Sequence, residues 1–260
     1  MDGKHMSLSQ IDTFGRLFEN EKYVVLKNYL YNYLLRKKAV QRHITTGNGP
    51  LILEVGSGLS PMVTETNAVV YSELSLEALR ILKGRQGRGS YVAADGMQLP
   101  FKTGGFDLVI CSEVLEHLAD DRKALMELAR VMKPSGQLIV TFPHRRFYFA
   151  YDDQYVKHFR RYEITEMQER LQAVGLSTVE VQKILGPLEK VTMWFAVVCF
   201  SLIQKYRPER TKATGPSKLM RILTPFFKWI NLLYAGLVWL DARIIPRSLA
   251  TVLLIKAEKG

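Results

Sequence analysis

The sequence predicts an α/β protein whose core is one sheet of mainly parallel strands. Between residues 51 and 185, short apolar segments of strand length alternate with amphipathic segments of helical period. This is the pattern of strands joined by helical crossovers. Acidic residues accompany the ends of the first three apolar segments. With 260 residues, 47% of them hydrophobic, the chain can bury one good core, so we expect one globular domain with additions.

The first predicted strand runs into a glycine-rich turn. It begins at Leu51, reads LILEV and continues as GSGLSP. Gly56 and Gly58 allow positive φ and a close approach of the backbone to a ligand. Ser60 as N-cap and Pro61 at the first helical position predict that a helix begins there. The turn suits a nucleotide-like ligand, although an ordinary strand-to-helix turn has the same letters.

The next two predicted strands, residues 68–72 and 90–94, are each followed by an acidic residue, Glu73 and Asp95. In an open α/β sheet these strand ends meet at one edge, where ligands collect at the switch in strand order. A carboxylate at Glu73 can accept hydrogen bonds from both hydroxyls of a ribose, and Asp95 is placed to hold an adenine amino group. A fourth strand is predicted over residues 106–110.

Five motifs occur in order along this region: E-V-G-S-G, S-E-L-S, D-G-M-Q-L-P-F, F-D-L-V-I-C-S-E-V-L-E-H-L and L-A-R-V-M-K-P-S-G-Q-L-I-V. The ordered set resembles the class I S-adenosylmethionine-dependent methyltransferases of the small-molecule and lipid type, over residues 51–185. The resemblance implies a Rossmann-like fold with a mixed seven-stranded sheet and S-adenosylmethionine as cofactor. Two features depart from the family pattern. Ser60 replaces the usual third glycine, and the short spacing from Glu54 to Glu73 implies a short first helix.

The resemblance also implies which residues bind the cofactor, all of them at the ends of the first four strands. They are Glu54, Gly56, Ser57, Gly58, Glu73, Leu74, Asp95, Gly96, Met97, Ser112 and Glu113. The G-x-G-x-x-G of nicotinamide dehydrogenases and the G-x-S-x-G of serine hydrolases do not occur in the sequence.

Residues 1–50 are predicted to form a helical cap ahead of the sheet. Aromatic and leucine side chains recur at three- and four-residue steps over residues 11–43, which indicates amphipathic helices. Residues 36–38, Arg-Lys-Lys, are expected to be a solvated face near the end of a helix. Residues 1–10 lack the apolar segment of a secretory signal, and the two cysteines form no disulfide framework, so we expect a cytoplasmic location.

After the methyltransferase-like core (51–185), residues 186–248 form a predicted insert before a last strand in 249–260. This insert holds all three tryptophans and ten Lys and Arg against three Asp and Glu, within a net charge of +11. Two apolar runs, 191–203 and 223–240, predict two helices joined by a basic loop, and both are short for a membrane span. Docking on an anionic membrane surface is the favoured interpretation. A soluble lid or dimer surface and a true membrane span are the alternatives.

Three histidines are candidate bases for the acceptor's proton: His117, His144 and His158. His117 belongs to an E-x-x-E-H sequence with Glu113 and Glu116, and Glu113 and His117 are predicted to share a helix face. The triplet resembles the metal ligands of quinone-biosynthesis O-methyltransferases and of small-RNA 2′-O-methyltransferases. We nevertheless expect no bound metal, because the same letters are frequent in members without one.

The predicted function is therefore methyl transfer from S-adenosylmethionine to a small or lipid-linked acceptor at the cytoplasmic membrane face. The reaction is an in-line displacement that needs alignment and exclusion of water rather than a covalent nucleophile. One alternative is a nucleic-acid methyltransferase of the RNA 2′-O type, which the unbroken apolar runs of the insert disfavour. The other is a non-catalytic cofactor-binding partner subunit. The sequence predicts no oligomeric state.

Overall fold

The computed structural model describes residues 28–44, 49–206 and 218–260. It contains a seven-stranded sheet in the order β3-β2-β1-β4-β5-β7-β6. The first five strands are parallel, and β7 is antiparallel to both β5 and β6. The predicted mixed seven-stranded α/β fold is thus confirmed. The strands are β1 (Ile52–Val55), β2 (Val69–Glu73), β3 (Ser90–Ala93), β4 (Phe106–Ser112), β5 (Met132–Pro143), β6 (Leu176–Leu185) and β7 (Val252–Lys259).

Helices cover both faces of the sheet. They bury two apolar clusters, one mainly against α3 and α5 and the other mainly against α1 and α7. The strands contribute alternate side chains to the two clusters because successive residues of a strand point to opposite faces. The helices are α1 (Tyr31–Gln41), α2 (Leu76–Gln86), α3 (Asp121–Val131), α4 (Tyr151–Tyr155), α5 (Ile164–Gln172), α6 (Pro187–Tyr206) and α7 (Lys218–Ile244).

No helix forms between β1 and β2, so the prediction that a helix begins at Ser60 and Pro61 is wrong. The buried carboxylate of Glu54 accepts hydrogen bonds from the amides of Met62 (2.7 Å) and Val63 (3.0 Å). Those amides would otherwise lie in the first turn of the predicted helix. Because the connection is short, these two bonds hold it as an irregular loop against β1.

Strand β6 departs from the mainly parallel arrangement that the sequence predicts. Among the described strands it pairs with β7 alone, and that pair is antiparallel. Because β7 is antiparallel to β5 as well, β6 points in the same direction as the first five strands. The insert therefore still leaves from the sheet edge at which β1 to β5 end.

The N-terminal cap and the insert pack against each other at the β6 side of the sheet. Helix α7 buries Asn231, Ala235, Val238 and Ala242 and contacts both α1 and β6. The ring of Tyr31 meets that of Tyr234 edge-on at 4.9 Å. The two predicted insert helices are confirmed as α6 and α7. The basic loop predicted between them lies mostly outside the described residues, as do residues 1–27 of the predicted cap, and the proposed domain boundaries stay a prediction.

Candidate active site

The turn after β1 has the backbone that its glycines predict. Gly56 and Gly58 have φ of +71° and +53°, in the region where side chains other than glycine are strained. A Cβ on Gly56 would lie 2.3 Å from Cγ2 of Val114, whereas one on Gly58 would meet nothing within 4 Å. Gly56 is therefore required by packing as well as by φ. Its amide donates to the carbonyl of Ser72 (2.8 Å) and ties the turn to the end of β2.

Glu73, at the end of β2, supports the same turn. One carboxylate oxygen accepts from the amide of Gly58 (3.0 Å) and the other from the amide of Ser75 (3.1 Å). Each oxygen has a second lone pair, so the side chain keeps acceptor capacity for two ribose hydroxyls. The neighbouring Leu74 is exposed and offers an apolar surface beside that carboxylate.

Asp95, after β3, forms a tight turn with the two residues that follow. Its side chain accepts from the amide of Met97 (2.8 Å), and its carbonyl accepts from the amide of Gln98 (2.9 Å). A Cβ on Gly96 would lie 3.5 Å from Val55 Cγ1, so this turn packs beside the end of β1. The structure thus brings the ends of β1, β2 and β3 together, as the sequence predicts.

Two more predicted cofactor residues have mainly structural contacts. Glu54 is 3% exposed; burial raises its pKa to about 7, against the opposing effect of the two amide hydrogen bonds described above. Ser57 is buried, and its hydroxyl has no hydrogen-bond partner among the described residues. Direct contact of either residue with the cofactor stays a prediction.

The N-terminal cap reaches the site through Arg36. Its guanidinium lies 3.1 Å from the carboxylate of Glu113, and both side chains are mostly buried. The expectation that this arginine belongs to a solvated face is wrong. Tyr33 and Val40, three residues before it and four after it, are both buried, so Arg36 lies on the packed side of α1. The polar end of β4 is completed by Ser112, whose hydroxyl is 2.8 Å from that of Thr141.

Glu113 and His117 do not share a helix face, contrary to prediction. Glu113 has a φ of +55°, and its amide donates to the carbonyl of Thr141 (3.0 Å). Only a 3₁₀ turn, Leu115–His117, follows. The strand therefore extends past its predicted end, and the chain then turns too sharply for an α-helix.

The cluster that does form contains Glu116, His117 and His158, whose potential ligand atoms all lie within 4.8 Å of one another. Glu116 is fully buried, and neither carboxylate oxygen has a hydrogen-bond partner among the described residues. Burial, and then the charge of Glu113, raise its pKa well above the usual range. The Nε2 atom of His158 lies 3.8 Å from Glu116, and its Nδ1 lies 2.9 Å from Asp153.

Asp153 connects this cluster to the insert. Besides His158, it accepts from Arg161 (2.8 Å) and from Lys190 (2.6 Å) of α6. Burial raises the pKa of Asp153, but the hydrogen bond from His158 and the charge of Arg161 outweigh it and hold the pKa well below its usual value. A carboxylate so fixed orients His158 with Nε2 towards Glu116.

The third candidate base, His144, is enclosed by protein. It is 1% exposed, and its Nδ1 lies 2.8 Å from the carbonyl of Ala250. Burial lowers its pKa. His144 is not a member of the Glu116 cluster, and the role of each of the three histidines as a base stays a prediction.

The cluster offers the donor types that bind divalent cations, with an outer carboxylate on one histidine. It differs from the Glu113–Glu116–His117 triplet of the E-x-x-E-H sequence, because the carboxylate of Glu113 is paired with Arg36 and is not a member of the cluster. The expected absence of a metal stays a prediction. Arg36, Asp153 and Lys190 were not predicted for the site. The buried-face position of Arg36 on α1 was the only sequence signal for any of them.

Comparison with known proteins agrees with this geometry. Residues 53–140 match the family described as methyltransferase domain. The chain is 34% identical over 110 residues to the demethylmenaquinone methyltransferase of Streptomyces griseus, covering 41% of this chain and 48% of that protein. It thus spans about half the length of the curated relatives it matches.

Solved structures share the fold at low sequence identity. A SAM-dependent methyltransferase of Thermotoga maritima has a TM-score of 0.60 at 17% identity, covering 96% of this chain and 100% of that one. The cyclase SpnF has a TM-score of 0.57 at 18% identity, covering 86% and 79%. The fold thus serves more than one reaction, and function must be argued from the site.

Residues 53–140 match the methyltransferase domain family, and the sheet that holds them, with its glycine turn, has the fold of solved S-adenosylmethionine-dependent methyltransferases.

Proposed function

We propose that the chain transfers the methyl group of S-adenosylmethionine to an amphiphilic acceptor at the surface of an anionic membrane. The observation that carries the proposal is a broad exposed apolar face on the insert. The insert follows β6 and leaves the sheet at the same edge as the glycine turn after β1. The name of the Streptomyces griseus relative supports an isoprenoid quinone precursor as the acceptor.

In this proposal the donor lies across the ends of β1, β2 and β3. Glu73 holds the ribose and Asp95 the adenine amino group. Glu73→Gln should weaken binding of S-adenosylmethionine by about tenfold to a hundredfold, because a charged hydrogen-bond acceptor is lost. Calorimetry measures this, with Glu77→Gln on the exposed side of α2 as the control. Equal affinities of the two variants would remove Glu73 from the site.

The methyl group then faces the end of β4 and the loop after β5. His158, held by Asp153, is the proposed base that takes the acceptor's proton, with His117 beside it at a ring separation of 4.7 Å. The protein's task is to align the acceptor and keep water out. Glu113 and Arg36 close the site on the cap side.

The exposed apolar face follows α7. A stripe with alternating four- and three-residue steps runs along the side of the helix opposite its buried residues. Its members, between 46% and 74% exposed, are Phe226, Ile230, Leu233, Leu237, Leu240 and Ile244. Trp229 and Leu232 widen the face, and α6 adds Val191, Trp194 and Phe195, all exposed.

The width of this face favours a membrane over a second helix. A coiled-coil partner covers a narrow seam of two positions in seven, whereas Trp229 at 67% and Leu232 at 64% exposure lie beside the stripe. Tryptophans and flanking basic side chains are typical of helices that lie in the headgroup zone. In the described part of the chain, no helix combines the length and the apolarity that crossing a bilayer requires.

Flotation with liposomes tests the membrane part of the proposal. The double variant Leu233→Asp, Leu237→Asp should abolish co-flotation. Met126→Asp with Val179→Asp adds the same charge at two exposed apolar positions outside the insert and should not. If the unaltered chain stays in the aqueous fraction at low salt, the face belongs to a lid or a dimer.

A separate experiment identifies the acceptor: the chain is incubated with membrane extract and a labelled methyl donor, and the labelled product is identified.

A further inference from the structure

A second cavity, separate from the methyltransfer site, lies between α1, the edge strand β6 and the end of α7. Its volume is about 510 Å³, within the usual range of ligand sites. Its polar lining is strongly basic. Of the lining residues that the structure describes, only Glu180 is acidic. The basic lining residues are Lys38, Arg42, His43, Lys183, Arg243 and Arg247. We call this cavity the basic groove.

Most of the positive charge in the basic groove is uncompensated. Across residues 28–44, 49–206 and 218–260, no ion pair involves Lys38, Arg42, Arg243 or Arg247. The Nε2 atom of His43 is buried and has no hydrogen-bond partner among those residues. Clustered cations without partners are the usual receptors of phosphate groups.

The groove has a defined shape because one of its lysines is structural. The ammonium of Lys183 donates to the carbonyls of Arg243 (3.2 Å) and Ile245 (2.5 Å) and so fixes the end of α7 against β6. The guanidinium of Arg243 lies over the ring of Trp239, 4.5 Å from its centroid. These contacts hold the end of α7 and the guanidinium of Arg243 in place at the groove.

The groove adjoins the exposed apolar face of the insert. Trp239 and Arg243 line the groove, and the next residue after each, Leu240 and Ile244, belongs to the exposed stripe of α7. Arg36, which faces the methyltransfer site, lies on the other side of α1 from Lys38 and Arg42. A ligand with an anionic head and an apolar tail fits this arrangement, with its head in the groove and its tail along α7.

We propose that the basic groove binds the phosphate of an anionic phospholipid headgroup and thereby fixes how the insert lies on the bilayer. The role on the bilayer rests on the proposed membrane function, whereas binding of the headgroup itself does not. Arg42 and Arg247 are the phosphate-binding residues, since both are exposed, unpaired and reach the groove from different elements.

The test uses the full chain and a soluble short-chain phosphatidylglycerol, so that the groove is probed without a bilayer. Calorimetry should show binding that the double variant Arg42→Gln, Arg247→Gln weakens by at least about tenfold. Lys83→Gln with Arg85→Gln removes the same charge from the exposed end of α2 and should leave binding unchanged. Equal losses in the two variants would overturn the proposal in favour of general electrostatic attraction.

Two further arms separate the source of the phosphate and the role of the membrane. Inorganic phosphate should bind much more weakly than the short-chain lipid, and equal binding would make this a free-phosphate site and overturn the headgroup assignment. With vesicles, the unaltered chain should prefer phosphatidylglycerol over phosphatidylcholine, and the Arg42, Arg247 variant should lose that preference. If the chain binds the short-chain lipid but no vesicles, the membrane function fails while headgroup binding stands.

Discussion

The contact between Gly56 and Val114 allows the strain in the glycine turn to be measured. Gly58→Ala places a side chain at positive φ in open space, which should cost about 1 kcal/mol in the free energy of unfolding. Gly56→Ala carries the same backbone cost, and its Cβ would also lie 2.3 Å from Val114 Cγ2. Overpacking of this kind costs about 1–3 kcal/mol, so Gly56→Ala should be destabilising by about 3 kcal/mol in all.

A double-mutant cycle isolates the contact. In a Val114→Ala background the overlapping methyl group is gone, so Gly56→Ala should cost about as much as Gly58→Ala does in the unaltered chain. Urea denaturation of the four chains of the cycle and of the Gly58→Ala variant, followed by far-UV circular dichroism, gives the free energies. The reasoning is refuted if Gly56→Ala costs the same with and without the Val114 side chain, since the strain would then lie in φ alone.

Two other predictions concern ionisable groups. Methyl transfer should persist after dialysis against EDTA, because the guanidinium of Arg36 beside Glu113 repels a divalent cation; loss of activity that Mg²⁺ or Zn²⁺ restores would show the opposite. Burial raises the pKa of Glu189 from 4.5 to about 7, so the folded state holds a proton that the unfolded state releases, and stability is full below pH 4.5 and falls as pH rises to about 7. Over that pH window Glu189 should lower the free energy of unfolding by about 3 kcal/mol. In Glu189→Gln this decrease should be absent from denaturant titrations at a series of pH values. The same pH dependence in both chains would contradict a raised pKa of Glu189.

The strand ends were predictable from sequence because their signals are local. Glu73 and Asp95 each follow an apolar run directly, and parallel strands bring such positions to one edge. The missing first helix was not predictable in this way. Ser60 and Pro61 are good helix-start residues, but the carboxylate of Glu54 takes the amides of the next turn. A local preference is overridden there by a contact with the neighbouring strand.

The polar contacts that close the site could not be predicted from the sequence because their partners lie on elements far apart in the chain. Arg36 meets Glu113 from another element, and Lys190 meets Asp153 across 37 residues. The sequence indicates the position of Arg36 on the buried face of α1 but no spacing that relates either pair, so the packing of α1 and α6 on the core is needed to reveal the partners. The E-x-x-E-H sequence suggested a cluster of Glu113, Glu116 and His117. The backbone of Glu113 is left-handed, and the observed cluster contains His158 in place of Glu113.

The pairing of Lys190 with Asp152 and Asp153 limits how this chain can be divided into separate units. Lys190 lies in the first turn of α6, inside the insert, yet its ammonium is 2.7 Å and 2.6 Å from these two carboxylates, both more than nine-tenths buried. A truncation that removes the insert from its first residue would leave the Asp152 carboxylate buried without its cation and Asp153 with Arg161 and His158 alone, at a cost of several kcal/mol. The separable unit therefore begins after Lys190, and a core that ends at the last residue of β6 would lack the charge with which Asp152 is paired.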